Sequence, residues 1–269
     1  MKKVVLILSA VVFTTVFFSC KNDKNQDPIP SEQEEISTEE NPSEEIAMAT
    51  STELNDDANA TYLYVTAPSG LSLREYNNLQ SDKLARMPYG TRVKVVAAEG
   101  KATMNVSGIK GAMDQVEFNH KKGFAFNGYL SKYFPPERDI TARGYASELQ
   151  ELFPKVTYVE TTGGTASNPS NTETITLPEA QWHEAFFTAQ RLFDFPKEFA
   201  FPKSKGKNNE KIFDSKPKKG VWTSQLEITR NDNTIQKIEY VYASAKFDTK
   251  VTIEATDVGM KISKIEVVK

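Results

Sequence analysis

The 269-residue chain carries 33 basic and 36 acidic side chains, a formal net charge of −3 at pH 7, and a single cysteine. One thiol excludes a disulfide framework, so stability has to come from packed cores, and the length suffices for two modest ones. No lysine or arginine occurs from Asn25 to Leu73, where eleven acids fall between Asp27 and Asp57, whereas Arg74 to Lys269 holds 29 basic and 24 acidic residues. A balance of +5 over that stretch is far from a nucleic-acid footprint, and no nucleic-acid partner is expected.

Lys2 and Lys3 precede an uncharged run from Val4 to Phe18, closed by Ser19-Cys20. A charged start, an apolar stretch and a small residue at a cleavage point describe an export signal. Fifteen helical residues reach only about 22 Å, short of a bilayer core of roughly 30 Å. The Ser19-Cys20 junction resembles the lipobox of bacterial lipoproteins, with Phe17 where leucine is usual. That resemblance implies removal of residues 1–19, a diacylglyceryl thioether on Cys20 and an acyl chain such as palmitate on its amino group. The covalent lipid is the one non-protein group expected, with membrane lipid as its partner and no other cofactor. Lipidation of Cys20 also removes the only thiol that could serve as a nucleophile.

Residues 20–60 are rich in Glu, Ser, Thr, Asn and Pro and hold no aromatic side chain. Such a stretch buries too little apolar surface to offset its ordering entropy, so it reads as a disordered acidic tether. Lys21-Asn22-Asp23 partly matches the lysine-plus-acids signal after the cysteine in surface lipoproteins of the phylum Bacteroidota, and a plain spacer is the other reading. The expected location is the outer membrane, facing either the periplasm or the cell surface.

From residue 61 to 137 the pattern becomes short alternating strands. They are Tyr62–Thr66, Leu71–Arg74, Val93 with Val95, Met113–Phe118 and Gly123–Phe126, punctuated by Pro68-Ser69-Gly70 and other glycine turns. Five such strands in about 75 residues describe a small β-barrel. Val65 to Arg74, then Met87-Pro88-Tyr89-Gly90-Thr91-Arg92-Val93, then Lys122-Gly123-Phe124-Ala125 and Tyr129-Leu130, resemble the ordered motifs of the bacterial SH3 domain. Ser72 stands for that family's asparagine, and its tryptophan before the last strand is absent from Lys110-Gly111-Ala112-Met113. The resemblance implies an SH3-like barrel that binds cell-wall peptidoglycan or envelope proteins.

Residues 138–269 read as a second domain of no recognised family. Tyr145, Leu149, Leu152 and Phe153 share one helical face, Val156 to Val159 reads as a short strand, and Thr161 to Asn171 reads as a loop. Thr176-Leu177-Pro178-Glu179 has the form of a capping box opening a helix whose stripe is Trp182, Phe186, Ala189 and Phe193. Beyond Gly220 the period is two: Trp222, Leu226 and Ile228; Ile238, Tyr240 and Tyr242; Val251, Ile253 and Ala255; Ile262 and Ile265. Asn231-Asp232-Asn233 and Asp257-Val258-Gly259 supply turns. The expected fold class is an all-β SH3-like barrel followed by an α+β domain, with two helices packed on a four-stranded antiparallel meander.

No catalytic residue and no metal ligand set is expected. The two histidines, His120 and His183, fall in different domains, the first in a hairpin turn and the second beside a buried stripe. No HExxH pair, GxSxG elbow or calcium loop occurs. The candidate binding residues are Tyr76, Tyr89, His120, Lys121, Phe124 and Tyr129, because aromatic faces suit sugar rings and lysines suit wall-peptide carboxylates. Lys197 to Lys219 holds eight lysines against three acids and is either a solvated loop or a surface for phosphate-bearing lipid, wall carboxylates or the acidic tether. Phe193, Phe195, Phe199 and Phe201 read as a lid over the sheet. The expectation is a non-catalytic, lipid-anchored envelope protein binding peptidoglycan or envelope proteins. The alternative is a hydrolase or small-ligand-binding protein with its pocket in the C-terminal domain.

Overall fold

Glycine and proline break the chain into short extended pieces, and far more of them pair than periodicity alone suggests. The structure is a computed structural model that describes residues 60–269. The expected signal segment 1–19, the Ser19-Cys20 junction and, but for Ala60, the expected acidic tether lie outside the described residues. The first half holds β1 (Tyr62–Val65), β2 (Leu71–Arg74), β3 (Lys83–Met87), β4 (Arg92–Ala97), β5 (Met104–Val106), β6 (Ile109–Gly111), β7 (Met113–Phe118) and β8 (Lys121–Phe126). A 3-10 turn over Asn127–Tyr129 leads to β9 (Leu130–Ser131). The second half holds α1 (Ala142–Leu152), β10 (Thr157–Gly164), β11 (Pro169–Pro178), α2 (Trp182–Leu192), β12 (Asn209–Phe213), β13 (Val221–Asn231), β14 (Thr234–Ser244), β15 (Phe247–Thr256) and β16 (Gly259–Val268).

The expected fold class is corrected on both sides. In place of a five-stranded SH3-like barrel, the first half is a seven-stranded sheet in the order β3-β2-β8-β7-β4-β1-β9, with β5 and β6 as a separate hairpin. In place of a four-stranded meander, the second is a seven-stranded sheet in the order β10-β11-β16-β15-β14-β13-β12. Two of the added strands lie at sheet edges and bury little. β10 is exposed along nearly its whole length and β3 buries only Met87 fully, so these edge strands carry little alternation to read. Thr161–Asn171, read as a loop, is mostly a Thr-, Ser- and Asn-rich antiparallel hairpin, Thr157↔Thr176 through Gly164↔Pro169. The capping box also moves. Ile175 and Leu177 are fully buried strand residues, and helix α2 starts six residues later than Thr176, at Trp182. There Glu184 Oε2 accepts from the Gln181 N–H at 2.6 Å.

One residue row anchors the second sheet. Ile228, Ile238, Ile253, Ile262 and Ile175 stand side by side across β13, β14, β15, β16 and β11, each no more than 1% exposed. Helix α2 packs on β15 and β16 over this face, and α1 on β10 and β11. The opposite face is a solvated polar ladder, with Lys211 on Glu227 and Lys237 on Glu239, each at 2.9 Å, and Thr174 Oγ1 3.0 Å from Ser263 Oγ. One apolar face and one wet face is the usual antiparallel solution.

The first half has its own core of Leu73, Met87, Val93, Ile109, Val116 and Phe126. Phe126 is buried in this core between two glycines. A Cβ on Gly111 would stand 2.7 Å from the ring and one on Gly128 2.5 Å. The described residues belong to one compact unit, with the two cores meeting at Phe187 and Phe201. Tyr133 already belongs to the second core, and its hydroxyl donates to the Pro178 carbonyl at 2.7 Å. Gly128→Ala should lower unfolding free energy by about 1–3 kcal/mol through overpacking against Phe126. Urea denaturation measures this, and an unchanged midpoint would contradict the packing described.

Candidate functional site

Row by row, the helix-covered sheet face loses its aliphatic character. Next to the isoleucine row stand Leu226, Tyr240, Val251, Lys264 and Glu173, and next to that Ser224, Tyr242, Thr249 and Glu266. Helix α2 ends at Leu192, so the outer rows are roofed only by the turn that follows. The result is a groove of about 290 Å³ between Leu192–Pro196 and the sheet, closed on one side by Asp214 and Lys218. That volume lies at the small end of ligand pockets.

Its walls are ordered by their own contacts. Tyr242 stacks on Phe247 with ring centroids 5.3 Å apart, and Tyr240 stacks on Phe195 at 5.0 Å. Phe195 and Phe199 are buried and lie against Tyr240 of the sheet, whereas Phe201, read with them as part of a lid, packs on Phe186 and His183 of helix α2. Asp214 accepts from the Ser224 hydroxyl at 2.9 Å and from the Lys216 N–H at 2.8 Å. Ser224 Oγ lies 3.3 Å from the Tyr240 hydroxyl. Burial pushes the Tyr240 pKa upward, against the opposing Ser224 hydrogen bond, so the phenol stays neutral. Lys264 Nζ sits 3.2 Å from Glu266 and 5.8 Å from the Phe193 ring centre. Aromatic faces, hydroxyls and both charges thus converge, an arrangement suited to a polar ring bearing hydrogen-bonding substituents.

The six candidate residues of the first half do not form one surface. Tyr76 is 59% exposed, while His120 and Lys121 lie exposed at the β7–β8 hairpin tip, where Asn119 and His120 take positive φ of 48° and 60°. Phe124 packs against the first core. Tyr89 and Tyr129 instead face helix α2: Arg191 lies over the Tyr89 ring at 5.6 Å, and Tyr129 meets Phe187 at 6.1 Å. The groove residues went unread because Ser224, Thr249 and Glu266 look like ordinary interruptions of an alternating strand. Trp222, read as inward-facing, is 67% exposed because a bulge between Val221 and Thr223 shifts the register.

Among the described residues no group of three or more His, Cys, Asp or Glu side chains is placed to hold a metal ion, and no helix is long and apolar enough to cross a membrane. Compared with protein-family models, with curated proteins and with solved structures, the chain matches none.

His183 lies edge-on to Phe201, with ring centres 6.1 Å apart. Burial pulls its pKa down from 6.5 to about 4, against a hydrogen bond with the Gly128 backbone. A depressed folded-state pKa means that its stability contribution is present above the unfolded value of 6.5 and is lost as pH falls toward about 4. His183→Gln removes that loss. Between pH 7 and pH 4 the variant should therefore gain on the order of 2 kcal/mol relative to wild type, measured by denaturant unfolding at both pH values. A constant difference between the two proteins would refute the assignment.

Proposed function

We propose that this is a lipid-anchored envelope protein that binds a glycan-bearing ligand, peptidoglycan or its fragments, in the groove beneath Leu192–Pro196 and does not transform it. One observation carries the reading: where helix α2 ends, the sheet face changes from isoleucines to the Ser224–Tyr242–Thr249–Glu266 row and stays open. Stacked rings such as Tyr242 on Phe247 offer a flat apolar surface to the C–H face of a sugar. Asp214, Glu266, Lys218 and Lys264 line the same groove, and wall peptides carry amino and carboxylate groups that would complement them. The Ser224 hydroxyl is committed to Asp214, and no imidazole lines the groove to take its proton, which favours binding over acyl transfer. The lipobox-like Ser19-Cys20 junction favours the cell wall as the source of the ligand.

Calorimetric titration of the full-length protein with soluble peptidoglycan fragments tests this. Tyr242→Ala should weaken binding about tenfold, while Tyr76→Ala leaves it unchanged. Equal affinity of wild type and Tyr242→Ala would sink the groove as the site, and a loss confined to Tyr76→Ala would move the site to the first half.

A further inference from the structure

The Leu192–Pro196 turn has a second cavity on its other side, of about 400 Å³, built from three separate chain segments. Arg138 comes from the approach to α1, Arg191 from the last turn of α2, Lys197 from just beyond it, and Lys216 and Lys218 from the segment after β12. Among the described residues, none of these five cations makes an ion pair. The Arg191 side chain makes no hydrogen bond there either, and its Nε is buried without an acceptor. Its one partner is the face of Tyr89, whose hydroxyl donates to the Pro136 carbonyl at 3.2 Å. Burial pushes the Tyr89 pKa up to about 12 despite the opposing Arg191 charge, so the ring remains a neutral support.

Asp139, Asp194, Glu198 and Asp214 also border the cavity, leaving the cations one charge in surplus. Asp214 is already occupied by the Ser224 hydroxyl and the Lys216 N–H. The walls are fixed without any ligand. Gln190 Nε2 donates to the carbonyls of Pro196 at 2.8 Å and Phe199 at 3.1 Å, which holds the segment carrying Lys197, and the Asp214 turn holds Lys216. An arginine backed by a fixed aromatic ring presents a planar fork that matches two oxygens of one oxyanion.

We propose that this cavity is an oxyanion site centred on Arg191, taking the carboxylate or phosphate group of an envelope molecule. It does not depend on a ligand in the neighbouring groove, although Asp194, Pro196, Asp214 and Lys218 border both.

The test titrates full-length protein with inorganic phosphate, with N-acetylmuramic acid, and with N-acetylglucosamine, which lacks the lactyl carboxylate. At least one anion should bind saturably, with an affinity that falls as NaCl is added. Arg191→Gln should weaken that binding about tenfold or more, and Tyr242→Ala should leave the phosphate affinity unchanged. Binding of N-acetylmuramic acid alone identifies a wall carboxylate as the source. Binding of phosphate alone identifies a phosphorylated envelope component, and both together identify a site that reads charge. If Arg191→Gln does not fold, the double change Lys216→Gln and Lys218→Gln should weaken anion binding about threefold. The proposal is overturned if neither anion binds at about 10 mM, or if a folded variant of either kind binds as wild type does.

Discussion

Helix α2 is buried on two sides, and the arrangement of both sheets depends on that. Consecutive helical residues point about 100° apart, so adjacent Phe186 and Phe187 can serve different cores. Phe186 is fully buried against Phe195 and Phe201, with ring centres 5.6 and 5.7 Å away, while Phe187 meets Tyr129 of the first half. Each direction repeats one turn later. Gln190, four residues beyond Phe186, holds the Pro196 and Phe199 carbonyls. Arg191, four beyond Phe187, lies over Tyr89. His183, one turn before Phe187, reaches the Gly128 backbone. One stripe of this helix therefore reads the first sheet and another the second, and the Tyr133–Pro178 hydrogen bond closes the same junction from the chain that links them.

The groove is a consequence of unequal lengths. Helix α2 has 11 residues and spans about 16 Å. Strands β14 and β15, with 11 and 10 residues, span roughly 33–37 Å. A helix half as long as the strands beneath it cannot cover them. The uncovered sheet must be roofed by irregular chain, lined with residues that tolerate water, or both. Phe195 and Phe199 roof the Tyr240 side, while Ser224, Thr249 and Glu266 line the rest. Isoleucines at those positions would leave a wet apolar patch, which is why the change of residue type coincides with the end of the helix.

How much of this was legible follows from what each signal measures. Both helices and the four long C-terminal strands announced themselves, because Tyr145 and Leu149, Phe186 and Ala189, and the isoleucines each alternate with solvent at a fixed period. Strand β10 announced itself only through Val156 to Val159, which reads as a short strand, and β3 not at all, since an edge strand with few buried side chains carries a weak period. The first sheet was misjudged as a barrel for that reason: its motifs are local, whereas closure depends on which strands lie at the edges. Pairs such as Arg74 with Phe124 are set by contacts fifty residues apart. The candidate aromatic residues illustrate a further limit. Tyr89 and Tyr129 look like surface rings of a small barrel, yet a second core stands against them, and nothing within residues 61–137 encodes that neighbour. Trp222 fails through a single bulge, which alternation cannot register.

The lysine-rich stretch shows how one buried charge organises many exposed ones. The Arg230 side chain is 1% exposed and donates to the Lys203 carbonyl, the Lys207 carbonyl and Glu210 Oε2, the last at 2.8 Å. Leaving so deeply buried a guanidinium short of an acceptor costs on the order of 1–3 kcal/mol, whereas exposed lysines contribute little to stability individually. Drawing two carbonyls inward sends the side chains of Lys203, Lys205 and Lys207 outward. Gly206 fits beside the guanidinium because a Cβ there would lie 3.0 Å from Arg230 Cζ. Strand β12 then carries the chain across the sheet edge, so Lys216 and Lys218 emerge beside the groove and the Arg191 cavity. The surplus charge that looks like one basic loop in the sequence is thereby divided in two: one part is held by Arg230, and the other lies beside the groove that opens where helix α2 ends.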